Sequence, residues 1–288
     1  VRSIIGLAAL ARSGKDTVAS MLLAYPGVAA FALADPLKVG CQALFGLTDE
    51  ETWSDDQKEK SIELWGRSPR EFFQTVGTEW MRNHNPDHWL VRADREINPP
   101  ASHVNATTAE AKTTTDQKAK TEQKPDAPFI FATKAFFDFT DDQLWNPASA
   151  VIQDATWGLS PAEAVDLIKR LAYAMYPDYD TRRAQRAVEP LKPRGQIPAS
   201  ATTVIFKDIR FENEAAFLRS HHGKIWHITR PNLQKVNAHS SEHGIAQAAG
   251  DINIVNDGSL EDLKACVEHA WHAHLATTSQ ASQDQSPS

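Results

Sequence analysis

Arg12-Ser13-Gly14-Lys15-Asp16-Thr17 joins a short apolar run, Ser3–Ala8, to a stretch of helical character, Thr17–Leu23. A turn between a strand and a helix presents backbone N–H groups, backed by the helix N-terminus, to an anion. Gly14 allows a tight turn against a phosphate, and Lys15 is placed to reach the β- and γ-phosphates of a bound triphosphate. The pattern is not a complete phosphate-loop signature. Ala9 stands at the place of the first glycine, and Asp16 stands where Ser or Thr is usual. Thr17, one residue later, offers a hydroxyl to magnesium or its waters. The Asp16 carboxylate repels a triphosphate unless a metal or Arg12 lies between them. The plainer alternative is a glycine turn with a solvated lysine; the strand–turn–helix context argues against it.

The remaining candidates would position a second anion. Asp208 follows Val204-Ile205-Phe206, where a strand should end, and in parallel sheets the carboxyl ends of strands face the ligand. Asp208 could organise magnesium through water, bind an acceptor sugar or cap the helix near Asn213; Arg210, two residues on, could contact phosphate. Asp35 is equally open between an acceptor contact and an N-cap before Pro36, with Lys38 one turn on. Arg70 and Arg82 are about 18 Å apart on one continuous helix, so a break at Gly77 is expected if both reach one phosphate. Gln74, one turn from Arg70, could read a base edge. Arg230, ending Ile225–Thr229, could pack on adenine or phosphate. Trp53, Trp65 and Trp89 read first as core, although Trp89 could cover a nucleobase.

These residues need a rigid frame, and the apolar pattern supplies one. Short apolar runs at 3–8, 28–33, 203–207, 224–229 and 252–255 alternate with amphipathic stretches. That alternation predicts an α/β fold: a three-layer, mostly parallel sheet with helices on both faces, plus a helical insertion. Residues 1–98 read as the loop-bearing core with acceptor-binding helices. Residues 99–128, rich in Thr, Ala, Lys, Gln and Glu without apolar periodicity, read as a disordered linker. Residues 129–200 read as a helical insertion, 201–275 as the rest of the core and 276–288 as a frayed tail.

The insertion repeats an earlier theme. Phe45, Trp53 and Trp65-Gly66-Arg67-Ser68-Pro69-Arg70-Glu71 recur as Phe137, Trp145 and Trp157-Gly158-Leu159-Ser160-Pro161-Ala162-Glu163. With one gap, Arg92-Ala93 matches Arg183-Ala184. This predicts that 137–188 is a degenerate duplication of 45–97, which kept its scaffold and lost the cations at 67 and 70. Such a copy could serve as a lid or a dimer contact.

A net charge of -7 over 288 residues argues against duplex nucleic-acid binding, which needs a basic face. Two distant cysteines, Cys41 and Cys266, suit a reducing compartment and offer no zinc site. No signal peptide or membrane span is expected, which points to the cytoplasm.

Several segments, in this order, resemble the deoxynucleoside monophosphate kinases of bacteriophages. They are Ala11–Thr17, Ala34-Asp35-Pro36-Leu37-Lys38, Ser68-Pro69-Arg70-Glu71, Gln74–Trp80 with Arg82, Asp208–Glu214, His239-Ser240-Ser241-Glu242 and Asn256-Asp257-Gly258. The resemblance covers 3–98 and 203–264. It implies transfer of the γ-phosphoryl of ATP, with Mg2+, to a deoxynucleoside monophosphate, modified pyrimidines included, by an enzyme that is often a homodimer and here would act in a host cytoplasm. Lys15, Arg70, Arg210 and Asp208 would then be catalytic. Arg12, Ser13, Gly14, Lys15, Asp16, Thr17 and Arg230 would hold ATP, and Asp16, Thr17 and Asp208 the metal. Asp35, Lys38, Arg70, Gln74, Arg82 and Trp89 would bind the acceptor. The rivals are a kinase of another phosphorylated metabolite and a non-catalytic nucleotide-binding assembly protein.

Overall fold

The computed structural model describes residues 2–10, 12–98, 126–186, 197–231 and 245–283, the last seven of these as backbone. Ala11, most of the expected linker and His239–Glu242 lie outside the described residues. The chain forms two compact units: a sheet unit, residues 1–32 and 195–288, and a helical unit, residues 33–194.

In the sheet unit five parallel strands run β1 (Ser3–Ala9), β2 (Val28–Phe31), β3 (Thr203–Ile209), β4 (Lys224–Thr229) and β5 (Ile252–Val255), ordered β2-β3-β1-β4-β5. Central β1 is buried along its middle five residues, as expected of a parallel strand covered on both faces. One face packs Ile5, Leu7, Ile205, Trp226 and Ile254 against α1 (Lys15–Leu23) and the C-terminal helix. At Gly6 an added Cβ would come within 2.6 Å of Leu218, on the helix Glu212–Ser220. Glycine is therefore what lets that helix seat on the sheet. The C-terminal helix runs Leu260–Gln283, beyond its expected end at Leu275 and into the segment read as a tail.

The helical unit holds α2 (Ala34–Phe45), α3 (Asp49–Trp53), α4 (Pro69–Gln74), a π-helical stretch (Thr75–Arg82) and α5 (His88–Ile97). It continues with α6 (Ala127–Phe137), α7 (Asp141–Trp145), α8 (Pro147–Ala150), α9 (Pro161–Met175) and α10 (Tyr179–Arg183). Its core is aromatic: Phe45, Trp65, Phe72, Trp89, Phe129, Phe136, Phe137 and Tyr179 are all buried. The helix starts follow local sequence. Thr48 with Glu51, Ser68 with Glu71, Thr140 with Gln143 and Ser160 with Glu163 each close a reciprocal capping box, which satisfies two orphan N–H groups per helix.

Three local expectations are corrected. Residues 127 and 128, assigned to the linker, already belong to α6. Pro36 is the third residue of α2 rather than the first, and the N-cap is Leu33, not Asp35. The helix does not break at Gly77; α4 widens there into the π-helical stretch. An added Cβ on Gly77 would lie 2.7 Å from Leu37, while its carbonyl accepts the Trp89 indole N–H at 3.0 Å. Close packing, not a hinge, explains that glycine.

Candidate active site

The loop after β1 takes its shape from its own polar groups. Arg12 adopts φ 66 and Gly14 φ 95, a left-handed conformation that costs a non-glycine residue free energy and is tolerated where surrounding structure enforces it. Ser13 is buried, and its hydroxyl donates to the Leu10 carbonyl at 2.8 Å. The backbone N–H of Ser13 donates to the same carbonyl at 3.2 Å, so both groups of Ser13 close the loop. Asn256, just after β5, donates from Nδ2 to the Ser13 carbonyl at 2.9 Å and braces the loop from the far side. A Cβ on Gly14 would overlap the Asn256 amide, so glycine is required both for φ and for space. Gly14 is the N-cap of α1, and no side chain caps that end. The first-turn N–H groups and the positive end of the helix dipole are therefore directed at the loop.

Around this end the charges alternate. Lys15 Nζ lies 2.9 Å from Asp16 Oδ1 and 3.8 Å from Asp208 Oδ1. Arg210 Nε and Nη2 lie 2.8 and 2.7 Å from Asp208 Oδ2. Asp208 is near the end of β3 and Arg210 follows it, so adjacent parallel strands deliver both partners to the loop. Glu214 is buried and accepts the backbone N–H of Arg210 and of Phe211, at 2.9 and 3.2 Å; it fixes the turn that carries Arg210. Asp16, Thr17, Arg12 and Arg230 are exposed at the loop or at the end of β4. An entering phosphate can take over Lys15 and Arg210 from their carboxylates, since it offers each cation more charge and more acceptor oxygens.

Beside the loop a depression of about 190 Å³ opens among Ala9 and Leu10, Ile209 and Arg210, and His227 and Thr229. These are the carboxyl ends of β1, β3 and β4, where the order of strands reverses about β1, the usual location of a ligand crevice in such sheets. His227 is held by Asp251, whose Oδ2 is 3.1 Å from Nε2. Burial pushes the Asp251 carboxyl up, but hydrogen bonds from Arg219, the Ala248 N–H, His227 and the Ile225 N–H outweigh it and hold it at about 2. The sequence gives no sign of this pair. The two residues are far apart along the chain, and only β4–β5 pairing brings them together.

Among the described residues no group of three or more His, Cys, Asp or Glu side chains is placed to hold a metal. Magnesium in phosphoryl-transfer sites leans on one or two protein oxygens and takes the rest from phosphates and water. Asp16, Thr17 and Asp208 are hard oxygen donors of that kind, and they fit such a role.

The other expected site residues lie in the helical unit. Asp35 is half-buried in the first turn of α2, and Lys38 stands 5.0 Å over the Trp53 ring. Arg70, half exposed, pairs through Nε with Glu59 at 2.5 Å. Gln74 is exposed at the end of α4, and Arg82 is half-buried at the end of the π-helical stretch. Trp89 is not a base platform. It is 5% exposed, its N–H is committed to Gly77, and its ring packs on His88 and Phe136.

Fold and loop together define an α/β protein whose five-stranded parallel sheet is consistent with a P-loop kinase-like domain. Residues 195–267 match the family model for deoxynucleotide monophosphate kinase, a span that holds Asp208, Arg210, Arg230 and Asn256 but not the phosphate loop. The chain is also similar to a protein of Acanthamoeba polyphaga mimivirus with the provisional name deoxynucleotide monophosphate kinase, 41% identical over 83 residues. That alignment takes in 28% of this chain, which spans less than half, 43%, of the length of that relative.

Proposed function

We propose that the chain is a deoxynucleoside monophosphate kinase, transferring the γ-phosphoryl of ATP to a deoxynucleoside monophosphate to give the diphosphate and ADP. The observation that carries this reading is the placement of Lys15 and Arg210 on either side of Asp208, at the uncapped N-terminus of α1. The family match over the segment containing Asp208 and Arg210 supports a nucleotide acceptor over another phosphorylated metabolite.

The chemistry asks little of a general base, because an acceptor phosphate is already ionised near neutral pH. It asks for alignment, and for positive charge on the transferring group. The backbone N–H groups at Gly14–Asp16 and Lys15 would hold the β- and γ-phosphates. Arg210 would turn from Asp208 onto the phosphoryl oxygens as charge builds there. Asp208, Thr17 and Asp16 would hold magnesium, which when bound would supply further neutralisation of phosphate charge. In the helical unit Arg70, Arg82 and Lys38 are the cations assigned to the acceptor phosphate, with Gln74 and Asp35 assigned to base or sugar. Among the described residues no helix is long and apolar enough to cross a membrane.

The test is coupled ADP release with ATP against each deoxynucleoside monophosphate, modified pyrimidines included, and a panel of phosphorylated metabolites. Turnover with at least one deoxynucleotide, lost in Lys15→Ala, is expected. Turnover with a metabolite and none with nucleotides overturns the acceptor. Nucleotide binding without transfer to any acceptor overturns the enzyme.

A further inference from the structure

The helical unit is built from two stretches that bond to each other reciprocally. In the first, the Trp65 indole N–H donates to the Phe45 carbonyl at 3.0 Å; in the second, Trp157 donates to Phe137 at 2.7 Å. Gly66 and Gly158 have φ of 64 and 65, and the chain leaves α2 and α6 through left-handed residues, Gly46 at φ 61 and Asp138 at φ 57. Local similarity of this kind can arise within each stretch by itself. The contacts between the stretches cannot.

The last turn of a helix leaves carbonyl groups without partners and carries partial negative charge, so cationic and N–H or O–H donors are favourable there. Each stretch supplies those donors to the other. His88 of the first meets the Phe136 carbonyl of α6 at 3.1 Å, and Tyr179 of the second donates to the Leu44 carbonyl of α2. Arg92 Nε donates to Ala135 at 2.9 Å, and Arg183 Nε to Ala43 at 3.3 Å. Arg95 donates to Asp138 at 3.2 Å, and Arg186 to Gly46 at 2.9 Å. The rings follow the same rule, with His88 against Trp157 and Tyr179 against Trp65. Between the two sets α2 packs along α6, with Gly40 so close to the Phe136 ring that a Cβ would overlap it.

Reciprocity of this form, in which i meets j and the counterpart of j meets the counterpart of i, is the mark of a two-fold, isologous interface. We propose that residues 127–186 are a built-in partner for residues 34–97: a duplicated half that fills in cis the surface a second copy of the chain would otherwise occupy, so that the protein works as a monomer. A self-complementary surface that is already paired within one chain leaves no second half open to another. This rests on the contacts within the helical unit and is independent of the reaction proposed above.

Sedimentation velocity on the full chain from about 1 to 200 µM tests it first. A single species at the 31.9 kDa chain mass throughout is expected; a reversible homodimer overturns the proposal. The reciprocity itself is tested with Arg92→Lys and Arg183→Lys, mild changes that keep charge but remove the guanidinium fork, and with Tyr179→Phe, which removes one hydroxyl. Both lysine variants should lower the thermal midpoint by about 3 °C or more and by similar amounts, with Tyr179→Phe lower in the same direction. Arg170→Lys, an exposed pair on α9, should not move it. A loss from Arg92→Lys with none from Arg183→Lys and Tyr179→Phe overturns the two-fold pairing.

Discussion

Arginines in the two units sit in opposite surroundings. Around the phosphate loop Arg12, Arg210 and Arg230 are exposed, and Arg210 pairs with a carboxylate at the rim of the sheet. In the helical unit Arg92, Arg95 and Arg183 are at most 8% exposed and point into helix ends, each with a carbonyl oxygen as a partner; Arg92 and Arg95 pair in addition with the largely buried carboxylates of Glu96, Asp138 and Asp154. A carbonyl at the end of a packed helix cannot leave, so those guanidinium groups are fixed. A rim carboxylate is worth little to its partner, about 0–1 kcal/mol, and a phosphate can replace it. The same residue type is therefore structural in one unit and available to a ligand in the other, and what decides is the mobility of its partner rather than its charge.

The sharpest way to break this contrast is to remove one cation from each side. Lys15→Ala should reduce turnover by about 10²–10³-fold while moving the thermal midpoint by no more than about 2 °C, because its ion pairs lie at an open rim. Calorimetry beside the coupled assay checks both. Arg183→Ala should do the reverse. Stripping the donors from the Ala43 carbonyl costs about 2–3 kcal/mol, roughly 5–10 °C in thermal midpoint, with turnover per folded molecule unchanged within about twofold. Equal thermal losses in both variants would erase the distinction.

A comparison inside the helical unit comes next. Arg70 and Ala162 hold corresponding places after matched capping boxes, Ser68–Glu71 and Ser160–Glu163. Arg70→Ala should lower kcat/KM for the nucleotide acceptor by roughly 10- to 100-fold, the value of one charged hydrogen bond, with stability intact because its partner Glu59 is half exposed. Ala162→Arg should change neither turnover nor the number of acceptor molecules bound in titration calorimetry. A second bound acceptor would mean that the second stretch keeps a working subsite.

How far the sequence foretells all this depends on the range of the interactions. The five strands were expected within a few residues of where they lie, since each is a short apolar run between polar turns, and the capping boxes are written in four consecutive residues. The strand–turn–helix arrangement around Gly14 was legible for the same reason, being one contiguous turn. The roles of Arg92, Arg95 and Arg183 were not, because their carbonyl partners lie 43 or 140 positions away. Nor was the π-helical stretch: widening a helix by one residue per turn leaves no signature comparable to a cap, so Gly77 looked like a break. Trp89 read as both core and platform until Gly77 was seen to take its N–H.

The mildest test separates the units by pH. Burial lowers His88 to about 3; its bond to the Phe136 carbonyl opposes the shift, and Arg92 and His84 add to it. In the sheet unit burial, with Lys224 nearby, lowers His274 to about 4. Both are neutral when folded, and in the unfolded chain each takes up a proton below about 6.5. The unfolded state then binds more protons, so stability falls as pH drops, by about 1.4 kcal/mol per pH unit per group. For His274 this loss runs from about 6.5 to 4, and for His88 it continues to about 3. Denaturant titrations between pH 7 and 3.5 should therefore show His88→Gln flattening the slope over the whole range and His274→Gln flattening only its upper part. If His88→Gln leaves the slope below pH 4 unchanged, His88 is charged in the folded protein, and a cation would then sit unpaired against Arg92 in the aromatic core.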